Sequence, residues 1–418
     1  MSLQEAHAAM RAREPLPAAL AARQDTALTR FLAAGFPSLS DEDWRYTNLR
    51  PFKDAALVAA NAGSHYADSI ELGGWRIDAD PARLELPAEL PQGVTAISLR
   101  QAIERDHPLL ARLGTVSPGA AGRMGDLNAA FAGDALLIGV ADGARIDQPL
   151  IIDWQLSAES DALVSPRLLL VAGARSEVTL VERRVGRGSF CNAVTEVIAE
   201  DGAQVRYVEV SRERAQSHTV ARIDIDVARD ARFDAFSLAL GGTLTRNDVH
   251  VRLAEPGASV ALHGTFVAGP GSHIDNHTTI DHVSPDTHSV ENYRGIIGRA
   301  GHGVFNGKVI VRKDAQRITS AQSNDNLLLD DSAEIDTKPE LQIYADDVRC
   351  SHGATIGRLD EQALFYLRSR GLDPSTAQRL LLDAFAAATL GALAPNLREV
   401  LVATLTAFLS DQLSENLT

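Results

Sequence analysis

From about residue 135 to residue 355, apolar and polar residues alternate along the chain with a period of two. The pattern runs through Leu136-Leu137-Ile138-Gly139-Val140, Val178-Thr179-Leu180-Val181, Val205-Arg206-Tyr207-Val208-Glu209-Val210 and Ile223-Asp224-Ile225-Asp226-Val227. Such alternation predicts half-buried strands, because successive side chains of a strand point to opposite faces. A two-residue mark punctuates the strands: Gly173-Ala174, Gly202-Ala203, Asp230-Ala231 and Gly257-Ala258. By subtraction, the first residues of these marks lie 29, 28 and 27 positions apart. A regular period of this length belongs to stacked repeats. All-strand repeats with a turn at a fixed place predict a β-helix or related solenoid, whereas a Greek-key sandwich would leave the spacing unexplained. Gly301-His302-Gly303 and Ser332-Ala333 continue the series less regularly.

Helical patterns flank the strands. The alanine-rich stretch Ala18 to Ala34 favours helix and is broken by Gly35-Phe36-Pro37-Ser38. Ser40-Asp41-Glu42-Asp43-Trp44 reads as a capped helix start with acids in the first turn. Near the end, Asp360 is placed to cap a helix that Gly371 stops, and Asp373-Pro374 starts another. Leu380-Leu381-Leu382 and the run Ala384 to Leu390 are apolar on more than one face. Leu397, Val400, Leu401, Leu405 and Phe408 then follow helical spacing. These readings divide the chain into a mainly helical segment 1–130, a strand core 131–355 and a helical segment 356–418. A helical hairpin standing off the end of a solenoid has little core to join. Its stripe is therefore either packed core or a surface for a partner.

Composition narrows the function. The 418 residues carry a formal net charge of -15, which repels nucleic-acid backbones and anionic membranes. Two cysteines make no disulfide framework and fit reduced thiols in a cytoplasm. The start, Met1-Ser2-Leu3-Gln4-Glu5, has neither the basic nor the apolar region of a signal peptide. The apolar run from Leu380 to Ala394 is interrupted by Asp383 and falls short of the ~20 residues of a membrane span. Asn306-Gly307-Lys308-Val309 lacks the spacing and hydroxyl of a phosphate-binding loop, and no Cys-x-x-Cys, His-Glu-x-x-His or Gly-x-Ser-x-Gly motif occurs. Seven histidines cluster late in the strand region: His250, His263, His273, His277, His282, His288 and His302. Their spacing matches no metal motif, and solvated or hydrogen-bonded rings are the expectation. Cys191 reads as a buried small hydrophobe.

The segment Asp346-Asp347-Val348-Arg349-Cys350-Ser351-His352-Gly353-Ala354-Thr355 is chemically the most informative. On a strand, Cys350 and His352 share a face, roughly 7 Å apart at ~3.3 Å per residue. A soft sulfur beside a nitrogen suits a transition metal or an iron–sulfur cluster. Two ligands cannot close such a site, so the pair is either half of a shared site or a packed strand end. Asp346 and Asp347 are second-sphere partners of the imidazole or a solvated turn.

The stretch from Cys350-Ser351-His352-Gly353-Ala354-Thr355-Ile356-Gly357-Arg358-Leu359-Asp360 into Gln362-Ala363-Leu364-Phe365-Tyr366-Leu367-Arg368-Ser369-Arg370-Gly371 resembles the carboxy-terminal signature of the SufB/SufD family, on its SufD side. Glu42-Asp43-Trp44-Arg45-Tyr46-Thr47 resembles that family's amino-terminal signature. The resemblance spans essentially the whole chain. It implies a right-handed parallel β-helix between helical ends, and a non-catalytic scaffold subunit of the SUF iron–sulfur assembly complex. The implied partners are SufB and the ABC-type ATPase SufC. The implied cargo is a transient cluster at the junction with SufB, with none held by the isolated chain. By the same resemblance, His352 takes part in cluster assembly, with Cys350 as the weaker candidate beside it. The carboxy-terminal helices dock the ATPase, which puts Phe365, Tyr366, Leu380, Leu381, Phe385, Leu401, Leu405 and Phe408 on the expected contact surface. Two rivals stand beside this reading. A carbohydrate-active β-helix enzyme would use acids such as Asp224, Asp226, Asp275, Asp281 and Asp286, although 5% aromatic residues supply few sugar platforms. A self-associating structural protein would pair only with its own copies as a homodimer.

Overall fold

The computed structural model describes residues 2–13, 16–53, 57–59, 70–81, 84–116, 122–156, 162–185, 190–213 and 216–415. Its amino-terminal part holds α1 (Leu3–Arg13), α2 (Ala18–Ala34), α3 (Arg50–Lys53), β1 (Val58–Ala59), β2 (Trp75–Ala79), β3 (Val94–Ser98), α4 (Leu99–Glu104) and α5 (Gly122–Phe131). Then come β4 (Leu136–Val140), β5 (Leu150–Gln155), β6 (Ala162–Val164), β7 (Arg167–Ala172), β8 (Glu177–Val185), β9 (Phe190–Ala199), β10 (Gln204–Glu213), β11 (His218–Val227) and β12 (Arg232–Gly241). The run ends with β13 (Leu244–Leu253), β14 (Ser259–Ala268), β15 (His273–His282), β16 (His288–Ile297), β17 (His302–Val311), β18 (Ile318–Leu328), β19 (Glu334–Ile343) and β20 (Val348–Gly357). Three helices close the chain: α6 (Glu361–Ser369), α7 (Pro374–Leu390) and α8 (Pro395–Glu415).

Consecutive strands do not pair with each other. From β7 onward each pairs with the next but one, in parallel, and so the strands build two sheets that the chain visits in turn. Sheet I runs β3-β4-β7-β9-β11-β13-β15-β17-β19, and sheet II runs β2-β5-β8-β10-β12-β14-β16-β18-β20. This is a parallel β-solenoid of two strands per coil. The antiparallel pair β3–β4 is an exception at its start. The first third is less helical than its composition predicts, because β2 and β3 already join the two sheets.

The recurrent mark is a corner of the coil. Gly202, Asp230 and Gly257 adopt positive φ there, as do Arg175, Asp286 and Arg317 in the same corner of other coils. The corners are tied between coils by backbone bonds, for example Gly202 N–H to Arg229 carbonyl and Asp286 N–H to Gln316 carbonyl. Gly301-His302-Gly303 and Ser332-Ala333 lead into β17 and β19 of sheet I, at the opposite corner. That position explains why they fall out of step with the earlier series.

Inward positions stack in register, so each row of the interior can be read down the rod. One row is Leu150, Leu180, Tyr207, Ala235, Leu262, Glu291, Gln322 and His352. Its neighbour is Val178, Val205, Phe233, Val260, Ser289, Ser320 and Cys350. Both rows are apolar in the early coils and polar in the late ones.

The outer faces are covered separately. On sheet II, Val181, Val208, Val210, Phe236, Leu238 and Leu240 form an apolar surface that receives Leu382, Ala386, Leu397, Leu401, Leu405 and Leu409 of α7 and α8. The hairpin therefore has a core to join, on the flank of the rod instead of off its end. Its helix starts follow the sequence: Asp360 accepts from Gln362 N–H at 2.8 Å, and Asp373 from Thr376 N–H at 3.0 Å. On sheet I, the segment around Glu42–Trp44 lies against β13 and β15. The expected capped helix there is a single 3-10 turn. Asp41 turns back to accept from Ser38 N–H and pairs with Arg123 at 2.8 and 2.9 Å, so it cannot act as the cap.

Candidate functional site at the open end of the solenoid

The last coil has no successor among the described residues. β20 pairs with β18 only and β19 with β17 only, which leaves each with an open backbone edge. Unpaired parallel edges invite another strand unless something blocks them. Side chains that face inward in every earlier coil here face solvent. Ile356 is 53% exposed and Ile343 is 39% exposed, although their register partners Asn326 and Val311 are buried.

His352 belongs to this uncovered layer. Its residue pairs with Gln322, whose side-chain amide donates to Glu291 Oε2 at 2.6 Å. Glu291 is sealed in the interior, and burial pushes its carboxyl up to about 7. The His352 ring is exposed and forms no hydrogen bond among the described residues. Cys350 sits one inward position earlier, beside Val348 and Leu341. Its thiol is free and half-buried, and burial raises its pKa against a backbone hydrogen bond from Ser320. The sequence expectation that both face one way holds in register. The face is the inside of the rod, seen end-on. Cys191, by contrast, is buried among Leu156, Ala162 and Val164.

The family model described as SUF system FeS cluster assembly, SufBD core domain, matches residues 155–385, more than half of the chain. The chain belongs to the SufBD family of iron–sulfur cluster assembly proteins. It is 30% identical over 374 residues to an iron–sulfur cluster assembly SufBD family protein of Synechocystis, covering 84% of this chain and 82% of the relative. It is 29% identical to the iron–sulfur cluster assembly protein SufD of Escherichia coli, covering 86% of each chain. A SufD protein of Bacillus subtilis is 28% identical across 74% of this chain and 72% of its own. The chain is thus a SufD-type member of the SufBD family. The matched core runs from β5 into α7 and includes the whole open end.

The helical residues expected to meet a partner divide by burial. Phe365, Tyr366 and Leu380 are 74%, 55% and 42% exposed. Leu381, Phe385 and Phe408 are partly covered, and Phe385 lies under the guanidinium of Arg294 at 4.7 Å. Leu401 and Leu405 are buried against sheet II, which corrects the expectation that they offer surface. The acids weighed for a carbohydrate enzyme are tied up in ion pairs: Asp224 with Arg222, Asp226 with Arg252, Asp275 with Arg246, Asp281 with Arg312 and Asp286 with Arg317.

Sequence reasoning missed the polar interior below His352. Ser320, Gln322, Asn324 and Asn326 of β18 all point inward and are buried. Their alternation was visible, but polar residues at one parity read as a solvated face. It also missed the seat of the amino-terminal signature. Trp44 lies against Arg246, Thr47 bonds Asp275, Glu42 meets Lys338 at 3.1 Å and Asp43 approaches Lys308 at 4.0 Å.

Proposed function

We propose that this SufBD-family protein is a non-catalytic scaffold subunit that completes its open end with the homologous SufB subunit. The observation that carries the reading is the layer of inward side chains, exposed His352 and half-buried Cys350 among them, at two strands that each keep one open edge. A second solenoid extends both sheets by strand addition at β19 and β20. Its own coil then roofs the layer and brings the ligands that a two-residue donor set lacks. The nascent iron–sulfur cluster is cargo at this junction. A neutral His352 offers a ring nitrogen to iron, and Cys350 offers a thiolate once the proton favoured by its burial is displaced. The exposed face of Phe365, Tyr366 and Leu380 suits the SufC ATPase, whose nucleotide cycle would supply the energy that this chain has no phosphate loop to harvest.

The test is co-purification with SufB and SufC, followed by anaerobic loading with iron and sulfide and visible absorption. His352→Ala is expected to assemble the complex normally and to lose most cluster absorption, with Cys350→Ser losing less. Normal cluster build-up in the His352→Ala complex overturns the ligand role. Failure of β20 edge variants to weaken SufB binding overturns the docking mode.

A further inference from the structure

On the outer face of sheet I, a chain of hydrogen bonds fixes where the protons lie on two histidines. Asp275 is fully buried. Burial opposes its charge, but the charges of His277 and Arg246 and its hydrogen bonds prevail and hold it well below the usual carboxylate range. An ionised carboxylate only accepts, so Thr47 commits its single hydroxyl proton to Asp275. The Thr47 oxygen also lies 3.3 Å from His273 Nε2. With its own proton committed, that oxygen accepts, and His273 carries a proton on Nε2. A neutral imidazole carries one proton, and on His273 the bond to Thr47 places it on Nε2. Its Nδ1 is therefore bare. That atom lies 3.1 Å from His302 Nδ1, so His302 donates from Nδ1.

The remaining nitrogen of His302 is the consequence. Nε2 faces Asp336 Oδ2 at 2.9 Å. A bare nitrogen and a carboxylate oxygen repel at that distance unless a cation joins them. The candidates are a second proton on the ring or a metal ion. Glu334 decides for the metal. It is the register partner of His302, and Asp336 follows two residues later on the same face. One ligand atom from each of His302, Glu334 and Asp336 lies within 4.8 Å of the others. A lone proton needs one carboxylate, whereas three convergent donors suit an ion. A ligating histidine whose other N–H is held by an acceptor is the usual arrangement around protein-bound metals.

We propose that His302, Glu334 and Asp336 bind a divalent first-row transition ion, with His273 positioning the imidazole. One nitrogen and two carboxylates suit zinc or ferrous iron, and three protein ligands leave a position for water. The ion bridges β17, which carries His302, to β19, the terminal strand of sheet I. It clips the last coil to the one before. The site is separate from Cys350 and His352 on β20 and does not depend on the scaffold reading.

Chelator-treated full-length protein is titrated with zinc chloride by calorimetry, and with cobalt chloride by visible absorption. Wild type is expected to bind one zinc at this site, with a rise in Tm, and to show ligand-field bands with cobalt. His302→Ala and Asp336→Asn each abolish the Tm rise, and His273→Ala weakens zinc by about 10- to 100-fold. The double variant Cys350→Ser, His352→Ala keeps the site. Absence of zinc binding by wild type overturns the proposal. So does unchanged binding in Asp336→Asn, a near-isosteric change that decides the matter even where His302→Ala fails to fold.

Discussion

The guanidinium of Arg246 lies 3.8 Å from the ring centroid of Trp44, more than two hundred residues away in sequence. The same guanidinium pairs with Asp248 and Asp275, each at 2.8 Å, in a fully buried position. The amino-terminal segment is thus seated on sheet I by an aromatic lid over a buried charge network. Arg246→Ala strands two carboxylates and is expected to cost about 3–5 kcal/mol. Trp44→Ala removes the lid and costs about 2 kcal/mol. Urea denaturation of both variants checks the order, and a smaller loss for Arg246→Ala than for Trp44→Ala contradicts it.

The helices α6 to α8 should separate binding from stability. Phe365→Ser with Tyr366→Ser touches exposed rings and is expected to change unfolding by no more than about 0.5 kcal/mol per site. The same pair is expected to abolish capture of the proposed partner, the SufC ATPase, in a pull-down. Leu401→Ala or Leu405→Ala opens the core under α8 and should cost about 2–5 kcal/mol. A Phe365, Tyr366 variant that unfolds early, or that still binds fully, removes the assignment.

Opposed groups shape the dependence of stability on pH. His250, His273 and His282 have pKa values lowered to about 4, chiefly by burial. Between pH 4 and 6.5 the unfolded chain binds protons at these rings that the folded chain refuses, so stability rises with pH through that window. Glu291 acts the other way. Burial raises its pKa from 4.5 to about 7, so between those values the folded chain keeps a proton the unfolded chain has released, and stability falls as pH rises. Glu291→Gln removes that opposing slope. Relative to wild type it should gain on the order of 3 kcal/mol between pH 4.5 and pH 7.5, at 1.36 kcal/mol per unit. Equal slopes in the two proteins across this range would show that the buried carboxyl is ionised throughout.

Much of the fold was legible because its signals are local. The helix Ala18–Ala34, the starts at Asp360 and Asp373, and the corners at Gly202, Asp230 and Gly257 each depend on residues a few positions apart. The open end was partly legible, since Cys350 and His352 share parity on one strand. What could not be read are relationships across coils. The stripe of Leu401 and Leu405 was visible, but its receiving surface comes from Val181, Val208 and Leu238 on separate strands. In β18 both parities are polar enough to pass for a wet face, so alternation alone could not say that Gln322 and Asn324 lie inside. The contact of Thr47 with Asp275, and the joining of His302 to Asp336, exist only once the coils are stacked.

The corner residues explain how such a rod tolerates divergence. Arg175, Gly202, Asp230, Gly257, Asp286 and Arg317 repeat one left-handed bend with three kinds of residue. Non-glycine residues accept that bend at a cost of roughly 1–2 kcal/mol, which the inter-coil backbone bonds offset. What is inherited from coil to coil is a dihedral angle and not a residue. Proteins that retain fewer than a third of their amino acids in common can therefore share one architecture, leaving each lineage free to rewrite the chemistry along its length.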